Sequence, residues 1–366
     1  MKYALIGCGR ISPNHIEAAK NNSVEIAAIC DIVPDRMNIV AQTCNLPDSV
    51  IKYTDYKELI EKERPALVAI ATESGTHFSV AAYCINHGCN VIIEKPIALS
   101  IEDADKLIEL AKEKNVLLCV NHQNRFNKSI QYIRNAVESG RFGKLLHGSA
   151  NILWNRNQAY YSAASWRGTW EQDGGVMMNQ CIHNIDLLRW MMGNDIDEVF
   201  AYTDRLQHPY IEAEDFGSAL IKFSNGSYGV IQGTANVFPK NLEETLYIFG
   251  ENATVKAGGK SVNTIEKWSF ADNLDNPDCV KSEYSEDVPN VYGYGHTPLY
   301  ADMIDAIQTG RTPYVSGEDG KRALELVLAI YKSAKEGCPV KLPLTKCSAL
   351  DFKGRFDDCE SLSNQL

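Results

Sequence analysis

The sequence lacks the features that mark several classes of protein. Its 366 residues contain no apolar run as long as a membrane span, no internal repeat and no low-complexity tract. The 11 cysteines are scattered, without a C-x-x-C pair or a cysteine–histidine cluster at zinc spacing, so we expect reduced thiols and no metal site. The net charge of −11 argues against a nucleic-acid-binding surface, although one local basic pocket is enough for a small anionic ligand.

What the chain does contain is typical of a two-domain globular protein. Hydrophobic residues make up 45% and charged residues 23% of a chain too long for one ordinary core. Its first residues form an apolar strand rather than a signal peptide, which favours a cytoplasmic protein.

A glycine-rich turn follows this first strand. The segment Lys2 to Ile6 is apolar, Gly7-Cys8-Gly9-Arg10-Ile11-Ser12 follows it, and a helical pattern comes next. In that context the first glycine permits a tight turn, and the second lets the backbone approach a pyrophosphate. Ser12, which is small but not glycine, holds the third position of the pattern.

An acidic residue stands where a ribose-binding acid belongs. Asp31 ends the next strand, about 20 residues after the glycines. Ile32 and Val33 follow it without an adjacent cation, which favours NAD over NADP, although Arg36 is close enough to leave the alternative open.

Further strand–helix units continue to about residue 122. Apolar strands are predicted at 66–71, 90–93 and 116–120, and ligands of such sheets bind beyond the carboxyl ends of the strands. The polar residues at these ends, each of which also fits a loop-capping role, are Thr72, Ser74, His77, Glu94, Lys95 and Asn121. We therefore expect residues 1–122 to form a Rossmann domain with a doubly wound parallel sheet.

Residues 123–347 are predicted to form a second α/β domain with a largely antiparallel, open sheet. Ser224-Asn225-Gly226 is a hairpin turn, and helices at 299–309 and 318–335 close the domain. We expect residues 348–366 to be a loosely ordered tail. The candidate strands are Leu145–Leu153, Glu198–Arg205, Asp215–Phe223, Ser227–Asn236, Thr245–Phe249 and Ser261–Trp268.

One helix, predicted over Asp173–Gly193, is central to this domain. Its apolar stripe comprises Met178, Ile182, Ile185, Leu188 and Met192. Asn179 and His183 are four residues apart and therefore one turn from each other beside the stripe. The pattern suits a titratable group aimed into a cleft, and equally a core helix with a satisfied histidine.

The loop before this helix interleaves aromatic residues with arginines. It contains Trp154-Asn155-Arg156 and Tyr160-Tyr161, and then Trp166-Arg167-Gly168-Thr169-Trp170. This composition suits a sugar face and an anionic group, and equally an oligomer contact. Because the loop runs into the predicted helix, we favour substrate binding.

Together these motifs resemble one oxidoreductase family. The segments GCGRIS, EKP at 94–96, and WRGTW-x-x-DGG-x-x-x-NQ-x-IHNIDLL are similar to the Gfo/Idh/MocA family over nearly the whole chain. WNRNQAYY, WRGTW and VYGYGH resemble the family's bacterial UDP-N-acetylglucosaminuronate 3-dehydrogenase subgroup. Many members carry Asp four residues before the histidine, whereas this chain, like that subgroup, has Asn179.

The resemblance implies an activity and a set of partners. The implied reaction is NAD-dependent oxidation of a secondary hydroxyl, at C3, of a nucleotide-linked uronic acid such as UDP-N-acetylglucosaminuronate, in surface-polysaccharide biosynthesis. NAD is the implied cofactor, and a homodimer or homotetramer is the implied assembly, without nucleic-acid or membrane partners.

The resemblance also assigns residues to roles. The implied catalytic residues are Lys95, His183 and Asn179. Those implied to bind the cofactor are Gly7, Gly9, Arg10, Ile11, Asp31, Thr72, Ser74, His77, Glu94, Lys95, Gln123, Trp166 and Arg167. Those implied to bind the substrate are Lys95, Arg156, Tyr160, Arg167, Thr169, Asn179, His183 and His296.

Two other functions remain open at this point. One is a dehydrogenase of a free sugar, an inositol or a glycoside, which the arginine-bearing loop disfavours. The other is an NAD-binding regulatory protein without catalysis, which Lys95 and His183 disfavour. We expect His183 to be the general base and Lys95 to stabilise the alkoxide, with the exchanged roles as the alternative.

Overall fold

The computed structural model describes residues 1–357 and divides the chain into two compact units. The first unit comprises Met1–Ala98, Glu102–Gln123 and Tyr294–Lys321. The second comprises Leu99–Ile101, Asn124–Gly293 and the chain from Arg322 onwards. The chain passes from the first unit to the second near residue 123, and residues 294–321, which the sequence analysis placed in the second domain, belong to the first unit.

Within residues 1–357, fourteen strands form two sheets. In chain order the strands are β1 Lys2–Ile6, β2 Glu25–Cys30, β3 Ile51–Tyr53, β4 Leu67–Ile70, β5 Asn90–Ile93, β6 Leu118–Val120, β7 Leu145–Leu153, β8 Ile196–Asp204, β9 Phe216–Phe223, β10 Tyr228–Thr234, β11 Glu243–Gly250, β12 Ala253–Gly258, β13 Thr264–Phe270 and β14 Val340–Lys341.

The helices are mostly amphipathic and flank these sheets. In chain order they are α1 Ser12–Asn21, α2 Pro34–Thr43, α3 Tyr56–Glu63, α4 His77–Asn86, α5 Ile101–Lys114, α6 Lys128–Glu138, α7 Gln158–Ser162, α8 Val176–Asn179, α9 Ile182–Met192, α10 Pro277–Glu283, α11 His296–Thr309 and α12 Gly317–Glu336. Within residues 1–357, no helix is long and apolar enough to cross a membrane.

The first unit contains the predicted Rossmann sheet. Its six strands are parallel and lie in the order β3-β2-β1-β4-β5-β6. The central strand β4 is buried over its whole length, as expected for an apolar strand covered on both faces. This order brings the carboxyl ends of β1, β4, β5 and β6 to one edge of the sheet.

The second unit contains a mixed sheet of eight strands in the order β13-β12-β11-β7-β10-β9-β8-β14. Only β7 and β10 pair in parallel, and all other neighbours are antiparallel. The predicted α/β class with a largely antiparallel sheet is therefore confirmed. Gly226 turns β9 into β10, and the amide of Phe223 donates to the carbonyl of Ser227 at 3.0 Å.

The predicted helix over Asp173–Gly193 is wrong in one respect, because it is interrupted. The short helix α8 ends at Asn179, Gln180 and Cys181 form a turn, and α9 begins at Ile182. The amide of Cys181 reaches back to the carbonyl of Val176, one residue further than the regular helical bond. Asn179 and the following histidine thus lie on two different helices, while the predicted apolar stripe is buried throughout.

Helix α9 is buried on nearly all sides and carries an internal ion pair. Asp186 accepts hydrogen bonds from Nε and Nη2 of Arg125, both at 2.7 Å, and from Arg189 at 3.2 Å. The guanidinium of Arg125 also lies 4.8 Å from the centre of the Trp190 ring. Two arginines that share one buried carboxylate fix the helix against its neighbours.

The prediction of a loosely ordered tail is wrong for residues 348–357. Ser348 and Asp351 form a capping box on a 3₁₀ helix over Ala349–Phe352. Phe352 and Phe356 are 2% and 4% exposed, so this segment packs into the core of its unit. The remainder of the predicted tail, 358–366, lies outside the described residues.

Candidate active site

The glycine turn after β1 is crowded on one side and open on the other. Gly7 has a φ of 97°, and a Cβ there would lie 2.4 Å from the carbonyl oxygen of Ala71, so only glycine fits. A Cβ on Gly9 would meet nothing within 4 Å, which leaves room for a ligand against its backbone. The Ser12 hydroxyl, at the start of α1, donates to the Gly9 carbonyl at 2.6 Å. The turn and the amino end of α1 form the cradle that a pyrophosphate requires.

The acid expected to bind ribose is fixed beside this turn. Asp31 is buried, and its two carboxylate oxygens accept the amides of Cys8 and Val33, each at 2.8 Å. The guanidinium of Arg36 lies 3.7 Å from the Asp31 carboxylate. The other two predicted residues here are the exposed Arg10 and the half-buried Ile11.

His77 contacts both of the loops that follow β4 and β5. Its Nδ1 lies 2.7 Å from the carbonyl oxygen of Pro96, and its Nε2 lies 3.2 Å from that of Thr72. Burial lowers the pKa of His77, so the ring is neutral and donates one hydrogen bond. Ser74 is buried in the same loop, and the half-buried Lys95 directly precedes Pro96. The predicted residues at these two strand ends therefore share one edge of the sheet.

Glu94, at the end of β5, is a buried carboxylate among hydrogen-bond donors. Its Oε1 lies 2.9 Å from His15 Nε2 and 3.9 Å from His296 Nε2, and it accepts a hydrogen bond from Asn121. Burial opposes the charge, but the hydrogen bond from His15 and the nearby ring of His296 outweigh it and hold the pKa of Glu94 well below its usual value. Glu94 therefore stays ionised at neutral pH.

This polar network continues behind His15. Its Nδ1 lies 2.7 Å from the hydroxyl of Tyr300, which lies 3.0 Å from that of Tyr3. Donor atoms of His15, Glu94 and His296 lie within 4.8 Å of one another, close enough to share a metal ion. In this structure His15 and Glu94 instead bond to each other.

The sequence prediction included Glu94 and His296 but missed His15 and Tyr300. His15 is 79 residues from Glu94, and Tyr300 is 285 residues from His15, so no local pattern links them. Gln123, another predicted residue, is buried in the turn after β6.

In the second unit, Asn179 belongs to a continuous chain of polar side chains. Its amide nitrogen donates to Asp173, and its amide oxygen accepts from Gln180 at 3.0 Å. Gln180 also donates to the Tyr160 hydroxyl at 3.1 Å, which accepts from Arg167 at 2.5 Å. The sequence prediction included three of these five residues and missed Asp173 and Gln180. Asp173 thus places a carboxylate directly beside Asn179.

A buried acid supports the short helix that ends at Asn179. Glu214 Oε1 accepts the amide of Met177 at 2.8 Å and the hydroxyl of Tyr331 at 2.9 Å. A Cβ on Gly175 would lie 1.9 Å from Glu214 Oε2, so glycine is required beside the carboxyl group. Burial raises the pKa of Glu214 to about 8, and the group is protonated at neutral pH. Glu214 and Tyr331 fix the segment that presents Asn179.

His183 is the second residue of α9 and is half-buried. The helix on which it stands is held by the buried ion pair of Asp186, so its backbone position is well defined. Of the remaining predicted residues, Thr169 donates its hydroxyl to the carbonyl of Trp166 at 2.7 Å.

Two arginines of the aromatic loop share the ring of Tyr160. The guanidinium carbons of Arg156 and Arg167 lie 5.0 and 4.3 Å from its centre. Arg156 also lies 4.5 Å from the Trp154 ring, and Arg167 lies 4.5 Å from that of Trp166. In residues 1–357, the buried Nε of each arginine has no hydrogen-bond acceptor. Both cations are oriented by rings and retain a donor for an anion.

The acid beside Arg156 does not neutralise this pair. Glu244 is buried, and burial raises its pKa to about 8, a shift that the charge of Arg156 only partly offsets. At neutral pH Glu244 is therefore protonated, and the aromatic loop keeps a local positive charge.

Both parts of the chain match models of one oxidoreductase family. Residues 1–122 match the model described as the NAD-binding Rossmann fold of that family. Residues 134–342 match its C-terminal alpha/beta domain. The first unit thus contains an NAD-binding Rossmann domain, which confirms the predicted cofactor.

Two solved structures are similar over almost the whole chain. The WlbA dehydrogenase from Bordetella pertussis, in complex with NADH and UDP-GlcNAcA, is 36% identical with a TM-score of 0.87, and the match covers 94% of this chain and 98% of that one. WlbA from Chromobacterium violaceum, with the same two ligands, is 35% identical with a TM-score of 0.86, over 94% and 96% of the chains. The curated myo-inositol 2-dehydrogenase of Thermotoga maritima is 28% identical over 93% of this chain and 98% of its own length.

The two buried glutamic acids predict an unusual dependence of stability on pH. Burial raises the pKa of Glu214 and Glu244 from 4.5 to about 8, so the folded state holds two protons that the unfolded chain releases. Their stabilising contribution is complete below about pH 4.5 and is lost as the pH rises to about 8. We expect the free energy of unfolding, measured with urea, to fall over this interval by on the order of 4 kcal/mol per group.

The variant Glu214→Gln should remove about half of that dependence, since an amide does not titrate. Glu171→Gln, at an exposed position of the same unit, is the matched control and should leave it unchanged. An unfolding free energy that rises from pH 5 to pH 8 in the unmodified protein would contradict the assignment.

Proposed function

Because this chain belongs to the Gfo/Idh/MocA family of NAD-dependent oxidoreductases, we propose that its substrate is a nucleotide-linked uronic acid such as UDP-N-acetylglucosaminuronate. In the proposed reaction a secondary hydroxyl, at C3, is oxidised in surface-polysaccharide biosynthesis. The observation that carries the proposal is the pair of arginines around Tyr160. Arg156 and Arg167 retain buried donors, and Glu244 does not neutralise them, so the loop fits a carboxylate or phosphate. The UDP-GlcNAcA in the two WlbA complexes carries both groups and supports the same class of ligand.

A second candidate has an observation in its favour. The similarity to a myo-inositol 2-dehydrogenase supports an uncharged polyol as substrate. A free inositol would leave the two arginines without a counter-ion, which is why we prefer the uronate. Adding NAD to panels of UDP-uronates, UDP-sugars and inositols, and following NADH absorbance, separates the candidates.

In the proposed mechanism, side chains accept the proton of the hydroxyl group and stabilise the negative charge that develops on its oxygen. NAD, when bound, supplies the acceptor for the hydride. His183 takes the hydroxyl proton, because an imidazole with an ordinary pKa of about 6.5 is a competent base near neutral pH. The ammonium of Lys95 stabilises the alkoxide, and Asn179, oriented by Asp173, positions the sugar.

The roles of His183 and Lys95 predict different pH profiles. His183→Ala should abolish the acid limb of the kcat/KM profile near neutral pH, since that limb reports protonation of the base. Lys95→Met should lower kcat by about 100-fold or more and leave the limb in place. Stopped-flow NADH formation between pH 5 and 9 measures both. If the limb survives in His183→Ala and disappears in Lys95→Met, the two roles are exchanged.

Replacing one arginine tests the nature of the substrate. Arg167→Lys should lower kcat/KM for UDP-N-acetylglucosaminuronate by about 10- to 100-fold, because lysine cannot form paired hydrogen bonds. Its affinity for NADH, measured by fluorescence, should change less than about twofold. Arg141→Lys is the control, since Arg141 also stacks on a ring, 4.5 Å from Phe270. Equal turnover of uncharged sugars and uronates by the unmodified protein would refute the assignment.

The second unit also exposes apolar side chains on one face of its sheet. Phe200 on β8 pairs with Leu220 on β9, which pairs with Val230 on β10, so the three share a face. Leu220 and Val230 are 51% and 41% exposed, and Tyr202 on the same face is 66% exposed. We propose that a second copy of the chain covers this face in a homodimer or homotetramer.

Light scattering should therefore give at least twice the chain mass of 40.7 kDa at micromolar concentration. Leu220→Glu places a charge at the centre of the face and should shift the protein towards the monomer. Leu274→Glu, at a residue that is 75% exposed outside the sheet, should not. A monomeric unmodified protein would rule out this interface.

A further inference from the structure

The two residues on either side of Lys95 are each held by a buried histidine. His15 Nε2 lies 2.9 Å from the Glu94 carboxylate, and His77 Nδ1 lies 2.7 Å from the Pro96 carbonyl oxygen. The two histidines are 0% and 1% exposed and come from different helices, α1 and α4. One contact therefore holds the side chain of the residue before Lys95, and the other holds the backbone of the residue after it.

The direction of each hydrogen bond follows from its partners. The Glu94 carboxylate only accepts, so Nε2 of His15 carries the proton and donates. The other ring nitrogen, Nδ1, lies 2.7 Å from the hydroxyl of Tyr300, which lies 3.0 Å from that of Tyr3. Both nitrogens of His15 therefore have hydrogen-bond partners, which fixes the orientation of the ring.

His77 has two acceptors and only one proton to donate. The contact of Nδ1 with Pro96 is 0.5 Å shorter than that of Nε2 with Thr72, at 2.7 against 3.2 Å. The proton therefore lies on Nδ1. The two histidines thus use opposite ring nitrogens to hold the residues that flank Lys95.

Other polar groups around Glu94 do not replace His15. Asn121 donates to the same oxygen, Oε1, and His296 Nε2 lies at 3.9 Å, beyond a direct hydrogen bond.

We propose that His15 and His77 are positioning residues that hold Lys95 where its ammonium meets the charge developing on the substrate oxygen. The inference rests on the role that the proposed function gives Lys95. It adds His15, which no earlier step gave a role. For His77, which the resemblance placed among the cofactor-binding residues, it proposes a different task, because both of its ring nitrogens face backbone carbonyl oxygens. One ring nitrogen of each histidine is assigned to this task.

Substituting each histidine by glutamine or asparagine distinguishes a positioning hydrogen bond from simple packing of the ring. The Nε2 of glutamine reaches the position of histidine Nε2, and the Nδ2 of asparagine reaches that of Nδ1. His15→Gln should therefore keep the donor to Glu94, and His15→Asn should lose it. For His77 the order reverses, so that His77→Asn keeps the donor to Pro96 and His77→Gln loses it.

The measurement compares kcat and NADH affinity for these four variants. We expect His15→Asn and His77→Gln to lose at least tenfold in kcat, and His15→Gln and His77→Asn to stay within threefold of the unmodified protein. The dissociation constant for NADH should change less than threefold in all four. Equal kcat within each pair, or a loss that follows the thermal unfolding midpoint, would overturn the proposal. If one variant fails to fold, the pair at the other histidine makes the same comparison.

A second readout does not depend on the substrate. The rate at which trinitrobenzenesulfonate labels Lys95, followed by peptide mass spectrometry, reports how firmly the amine is held. The labelling rate of Lys95 should rise at least threefold in His15→Asn and His77→Gln, but not in His15→Gln and His77→Asn. If no uronate is oxidised while this labelling pattern is seen, the proposed function fails and the positioning role stands. Uniform labelling refutes the positioning role even if the uronate is oxidised.

Discussion

A carboxylate buried at the end of β5 determines much of the first unit. An ionised Glu94 without partners would destabilise the fold strongly, so donors must reach it from several elements. The donors are His15 on α1 and Asn121, which directly follows β6, and the ring of His296 on α11 lies 3.9 Å from the same carboxylate. This requirement gives a physical reason for the return of residues 294–321 to the first unit, since α11 brings both His296 and Tyr300 to the network. Glu94 directly precedes Lys95 in the chain. One segment therefore contains both a carboxylate that the fold must stabilise and the lysine that is proposed to act in the reaction.

In the second unit, buried neutral acids occur in addition to the buried ion pair of Asp186. Glu214 is protonated at neutral pH and accepts hydrogen bonds from Met177 and Tyr331 below the short helix α8. Tyr331 in turn accepts the amides of Gly175 and Met178, at 3.3 and 3.2 Å. These contacts satisfy amides that a helix of only 4 residues cannot satisfy itself. They give α8 an anchor of its own, so the chain can turn at Gln180 before α9 begins.

The sequence predicted the elements better than the contacts between them. The candidate strand Leu145–Leu153 has the observed bounds of β7, in which buried residues alternate with more exposed ones from Gly148 onwards. The interruption between α8 and α9 was missed because the apolar residues keep their helical spacing across it, from Met178 to Ile182. The strand β12 was missed because its sequence, ATVKAG, has no apolar run. Two contacts of the site could not be predicted, because they depend on tertiary packing that no local pattern encodes. They are the contact of Asp173 with Asn179 and that of His15 with Glu94.

The net charge of −11 and the proposed anionic substrate are compatible, because binding depends on local charge. Charges on the protein surface are screened over about 8 Å at physiological ionic strength, so an approaching anion responds mainly to nearby groups. At the first unit these are the amides of the glycine turn and the amino end of α1. At the aromatic loop they are Arg156 and Arg167, two like charges that share the ring of Tyr160. Holding two cations so close has a free-energy cost that a protonated Glu244 does not relieve. An anionic ligand would relieve that repulsion, so the arrangement favours a uronate over an uncharged sugar.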